Sequence, residues 1–119
     1  MKYHSKYSIE DSVWGVGVQY LEYDVHTGEV VRQVEDYGNV LLYSQLVQGP
    51  QKASGTCHHA EASLHLEQEY DNDRVLESVF HAKWARATQF FDARLDVNNP
   101  AELTAEDVQD IKSKFNALG

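Results

Sequence analysis

Six histidines fall in a chain of 119 residues, and three of them, His58, His59 and His65, crowd behind the single cysteine, Cys57. Imidazoles and thiols ligate metals and activate nucleophiles near neutral pH, so this segment is where chemistry is first sought. If Cys57 to Tyr70 is helical, His58, Glu61 and His65 share one face at spacings of three and four. That is the pattern of two histidines and one carboxylate around an open metal position, and it supports a small-ligand or metal-dependent enzyme as the alternative function. The segment also reads as a strand, because Leu64, Leu66 and Tyr70 alternate, although its Ala, Leu, Glu and Gln content favours a helix. A strand over Ser63 to Tyr70 is the reading adopted, and it breaks the metal face apart. No metal, cofactor or catalytic residue is therefore assigned. Cys57 is expected as a packed thiol, since sequence neighbours rarely make a nucleophile and base pair.

The second source of chemistry is charge. Nineteen acidic residues against ten basic ones give a net charge of -9, and between Glu22 and Glu77 the acids are opposed only by Arg32, Lys52 and Arg74. Such a field repels nucleic acid and anionic lipid and steers a basic protein. Glu22, Asp24, Glu35, Asp36 and Tyr37 are the expected partner-binding residues, because tyrosine supplies contact area at low entropy cost and carboxylates supply steering. Arg32, the lone base on its strand, reads either as a cross-strand partner of Tyr23 and nearby carboxylates or as an anchor for an acidic ligand.

These residues must be positioned by strands. Val16 to Tyr43 contains two strand-like runs joined across Thr27-Gly28 and a third after Gly38-Asn39. A two-residue loop at Thr27-Gly28 pairs Val25 with Val30, Tyr23 with Arg32 and Leu21 with Val34, while the second turn sets Val34 opposite Tyr43 and Glu35 opposite Leu42. Trp14, Val16, Val18 and Tyr20 alternate with Gly15 and Gly17, and glycine on a strand face admits close approach of another element. Beyond Tyr20 the apolar phase passes to Leu21, Tyr23 and Val25, which signals a bulge or a sheet covered on both faces. Met1 to Asp11 is left open between a short strand and a tail.

Asp71-Asn72-Asp73 offers an N-cap for a long helix whose face is Leu76, Phe80, Trp84, Ala87, Phe91 and Leu95, ended by Asn98-Asn99-Pro100. Thr104 with Asp107 resembles a capping box, and Val108, Ile111, Phe115 and Leu118 mark a short C-terminal helix. Strands first and helices last give a single α+β domain over 1–119, an antiparallel meander of three to five strands packed against a long helix. No apolar run reaches the ~20 residues of a membrane helix, and the start lacks the apolar core of a signal peptide. With one cysteine, the expectation is a cytoplasmic protein without an internal disulfide. Apolar side chains on both sheet faces are compatible with a homodimer.

The run Tyr20-Leu21-Glu22-Tyr23-Asp24, then Val31-Arg32-Gln33-Val34-Glu35, then Tyr37-Gly38-Asn39-Val40-Leu41-Leu42-Tyr43 resembles a pattern of small bacterial proteins, some of them thought to be immunity partners of secreted toxins. A Phe-x-x-x-Trp helix in those proteins is similar to Phe80 to Trp84. The resemblance covers about a fifth of the chain, and an acidic, Gly-bearing segment expected soon after Tyr43 is missing here. It implies a non-enzymatic immunity or inhibitor protein that binds a basic protein partner.

Overall fold

A computed structural model describes residues 2–46, 53–57, 59, 74–90 and 103–117. In chain order these form β1 (Lys2–Asp11), β2 (Gly15–Asp24), β3 (Val30–Asp36), β4 (Leu41–Leu46), β5 (Ala53–Gly55), α1 (Glu77–Thr88) and α2 (Ala105–Asn116). The strands form one five-stranded antiparallel sheet in the order β1-β2-β3-β4-β5, an α+β meander with both helices after the strands. The putting-together is local, since every strand pairs with its sequence neighbour.

The N-terminal segment is a full strand. β1 pairs with β2 along its whole length, from Lys2 opposite Asp24 to Asp11 opposite Gly15. Its polar alternation hides this in the sequence, but Tyr3 and Tyr7 lie on the face where Leu21, Tyr23 and Val30 form a buried cluster. The outer edge of β1 is partly closed, because Ser5 bridges to Arg74 and the Val75 N–H donates to the His4 carbonyl at 3.0 Å.

Between β3 and β4 the register is the expected one, Val34 opposite Tyr43 and Glu35 opposite Leu42. Between β2 and β3 it differs. A two-residue loop would set Tyr23 against Arg32, yet Glu22 stands there and Tyr23 faces Val30. Asp24 causes the change: its Oδ1 accepts from the His26 and Thr27 N–H groups at 2.8 and 3.3 Å, and its carbonyl accepts from Gly28 at 2.8 Å. This widens the connection to residues 25–29, with Gly28 at φ 73°. Val31 is left as an extra residue in the ladder, a bulge that moves Glu22 onto the same face as Arg32.

α1 lies across β1 to β4. It is a 12-residue helix, not the long one expected, and it begins at Leu76 without a side-chain cap. Asp71 to Asp73, Phe91 and Leu95, which carried the expectation of a longer helix, lie outside the described residues, as does the expected strand from Ser63 to Tyr70. α2 does begin with the reciprocal Thr104–Asp107 capping box. Val34, Leu41 and Tyr43 from the sheet, Phe80 and Ala87 from α1, and Ile111 and Phe115 from α2 form the main core. No described helix is long and apolar enough to cross a membrane.

Candidate functional site

The bulge on β3 creates the most concentrated charge centre among the described residues. Arg32 grips Glu22 with both arms, Nε on Oε1 and Nη2 on Oε2, each at 2.6 Å. His4 Nε2 stands 2.9 Å from Glu22 Oε2. The Arg32 guanidinium lies 5.2 Å from the Phe80 ring and 5.0 Å from the Trp84 ring, so α1 closes over the pair with aromatic faces that favour a cation. Only 4% of Glu22 is exposed. Burial pushes its carboxyl up, but the hydrogen bonds and charges of Arg32 and His4 outweigh that and hold it below the ordinary carboxylate value. Of the two readings of Arg32, the cross-strand partner is the one seen, with Glu22 in place of Tyr23.

The other expected contact residues are dispersed. Asp24 meets Lys2 at 3.4 Å and caps its own turn; the His26 and Thr27 N–H groups hold its carboxyl below the ordinary carboxylate value. Asp36 receives Lys83 of α1 at 2.6 Å and the Gly38 N–H at 2.8 Å. Burial raises its carboxyl, and these partners bring it net below its usual range. Glu35 is one residue earlier in β3, hence on the opposite face, where it accepts from the Tyr37 hydroxyl at 2.6 Å and from Gln33 Nε2 at 2.8 Å. Burial and the Glu35 carboxylate together push the Tyr37 phenol far above its ordinary value. The hairpin acids thus have cationic compensation after all, delivered by β1 and α1 from distant sequence.

Tyr37 owes its seat to Gly17. A Cβ on residue 17 would come within 2.6 Å of the Tyr37 ring and 2.7 Å of the Asp36 carbonyl oxygen. Gly17→Ala is expected to cost about 1–3 kcal/mol in a urea melt through this overpacking, with the Tyr37 ring displaced. Wild-type stability would show that the ring does not depend on the gap. From its seat Tyr37 stacks on Trp14 of the β1–β2 turn, centroids 6.3 Å apart at 25°. Lys112 of α2 lies 5.6 Å from the Trp14 ring. Beside the stack, Val13 and Val16 are 56% and 75% exposed.

The Cys57 neighbourhood is a buried polar cluster. The thiol contacts Gln33 Nε2 at 3.5 Å, and burial, then the Glu35 charge, pushes it well above its usual value. It is not an activated nucleophile. His59 bonds elsewhere, with Nε2 at 2.7 Å from the Val30 carbonyl and Nδ1 at 2.7 Å from Ser44 Oγ. A carbonyl only accepts, so Nε2 carries a proton, and in the neutral ring Nδ1 accepts from the serine hydroxyl. The chain of serine, histidine and acceptor has the order of a hydrolytic triad, but Ser44 is fully buried and presents no hydroxyl to a substrate. His58, Glu61 and His65 lie outside the described residues. A second set of two histidines and a carboxylate, invisible to spacing rules, does come together: His4, Glu22 and His81 have ligand atoms within 4.8 Å of one another.

Two hollows lined by described residues differ in character. The apolar one among Leu41, Tyr43, Ala87, Phe90, Ile111 and Phe115 holds about 10 Å³, at most one water, and a larger hollow of about 310 Å³ lies open along Glu106, Asp107 and Asp110 of α2. Comparison with known proteins finds no matching family model, no matching curated protein and no matching solved structure.

Proposed function

We propose that this protein is a non-enzymatic acidic interaction protein, of immunity or inhibitor type, that docks a basic protein partner through the end of the sheet where the β1–β2 and β3–β4 turns lie side by side. The observation that carries this reading is the Trp14–Tyr37 stack flanked by exposed Val13 and Val16. Tryptophan and tyrosine are the side chains that most often dominate binding energy, and exposed apolar residues beside them extend the contact. Glu10, Asp11, Glu35 and Asp36 surround the stack from β1 and β3, which suits steering of a cationic surface. Tyr37 remains within the proposed contact set, whereas Asp24 caps the β2–β3 turn at the opposite end of the sheet and Glu22 supports the fold. Acting in the cytoplasm fits the buried, reduced Cys57.

Because Asp36 holds Lys83, its reversal would disturb packing as well as binding. The test therefore adds positive charge at exposed positions, in a Glu10→Lys/Val16→Lys double variant. A basic protein captured from the source cells by wild-type bait is expected to associate about tenfold or more slowly with the variant, and the wild-type on-rate is expected to fall as salt rises. Both positions are exposed but face each other across β1 and β2, so the paired lysines should cost stability no more than about 1 kcal/mol. An acidic partner, or equal binding to both baits at low and high salt, would overturn the electrostatic docking.

A further inference from the structure

We propose that His4, Glu22 and His81 form a binding site for a divalent first-row transition ion, best matched by Zn²⁺, at the seam between β1, β2 and α1. The three donors come from three separate elements and lie within 4.8 Å of one another. Two of them stand slightly inside ligand separation. Metal–nitrogen and metal–oxygen bonds of about 2.0–2.2 Å in a tetrahedral shell put neighbouring donors roughly 3.3 Å apart, and His4 Nε2 and Glu22 Oε2 are 2.9 Å apart. The third donor closes the set by side-chain rotation, because the His81 imidazole is half exposed on α1. His4 and His81 ring centroids are 6.1 Å apart, within reach of a shared ion.

Arg32 is the obvious objection, since a guanidinium on Glu22 opposes a second cation. A carboxylate has about four lone-pair sites, however, and Arg32 takes one on each oxygen. The remaining site on Oε2 is the one His4 faces, and there the ion takes the place of a hydrogen bond. Arg32 then acts as the outer partner that aims the carboxylate, as in many metal centres. Its positive charge makes the site weaker than a closed structural zinc centre. Phe80, 5.1 Å from the His4 ring, walls the inner side. On the outer side Glu77 Oε1 lies 3.3 Å from His81 Nε2 and adds a second carboxylate at the mouth. Two histidines and one carboxylate with an open outer position form the donor set of sites that keep a water or an exogenous ligand on the ion.

The test is calorimetric titration of Zn²⁺ into tag-free, chelator-treated full-length protein, with Co²⁺ absorption as a second readout of nitrogen and oxygen coordination. Wild type is expected to show a saturable site that His81→Ala weakens by about 10–100-fold or more, a loss at least as large as that for an outer-shell partner. His81 is exposed, so the variant should keep the metal-free thermal midpoint of the wild type. A His58→Ala/His65→Ala variant is expected to bind as wild type does. No saturable binding in wild type, or binding that survives His81→Ala, overturns the proposal; the second result would move the ion to the other histidines. Docking of the basic partner is scored separately at the Glu10/Val16 surface, so failure of either idea leaves the other standing.

Discussion

Replacing Arg32 with alanine lowers stability by about 3–5 kcal/mol at neutral pH, the usual cost of stranding one member of a buried ion pair. The expectation follows from what is left behind. Glu22, 4% exposed, would lose two bonds of 2.6 Å and retain only the His4 contact, while Phe80 and Trp84 would lose the cation on their faces. The pH dependence gives the result a sign. In the wild type the Glu22 carboxyl is held below its ordinary value, so its stabilising contribution is complete above the unfolded carboxyl value of about 4.3 and disappears as pH falls through the lower folded value. In the variant, burial without Arg32 favours the neutral acid, which forms as pH falls toward 4. The stability gap between the two proteins should therefore narrow on acidification. Urea melts at pH 7 and pH 4 measure it directly. A gap that is small at pH 7, or that widens in acid, would mean the pair is not the buried anchor described above. Replacing both partners by apolar residues of similar volume should recover much of the loss, because the cost lies in the orphaned charge rather than in the missing attraction.

This pair also marks where the sequence was readable and where it was not. Turn chemistry at Gly38-Asn39 carried the β3–β4 register correctly, since that turn closes tightly with the Tyr37 N–H donating to the Val40 carbonyl at 2.9 Å. The same reasoning failed one hairpin earlier because the Asp24 side chain competes for the loop's own N–H groups. The resulting bulge exchanges Tyr23 for Glu22 opposite Arg32. The shift in apolar phase after Tyr20 is a legible trace of it, and in the structure Leu21 and Tyr23 join a cluster separate from the main core. Thr104 and Asp107 announced α2 through purely local bonds. What spacing could not disclose was long-range pairing. Lys2, His4, Lys83 and His81 reach the hairpin acids only after the sheet forms and α1 crosses it. A strand of alternating Lys, Ser and Tyr gives little hydrophobic signal, so β1 and its His4 were unassigned until β2 supplied the partner.

Phe80→Ala is expected to cost about 3–5 kcal/mol, the range for a large aromatic removed from a packed core, and to cost clearly more than Trp84→Ala. The sequence treats both as one helix face at a spacing of four, with Trp84 packed in the core beside Phe80. The structure ranks them. Phe80 is fully buried, lies 5.1 Å from His4 and under Arg32, and closes the core from α1. Trp84 is half-buried at the margin, edge-on to Tyr43 at 5.3 Å and stacked near Phe80 at 6.3 Å and 17°. Its contacts are individually modest, about 0.5–1.5 kcal/mol for an aromatic pair beyond area burial. A leucine at 80 should fold well enough to compare even if alanine does not, and Phe80→Leu should lie between wild type and Phe80→Ala. The decisive quantity is the order of the two alanine variants in denaturant midpoint at equal m-value. Were Trp84→Ala the costlier change, α1 would be rotated from the orientation described, and Arg32, His81 and Lys83 would no longer fall where the ion pairs and the proposed metal site require them.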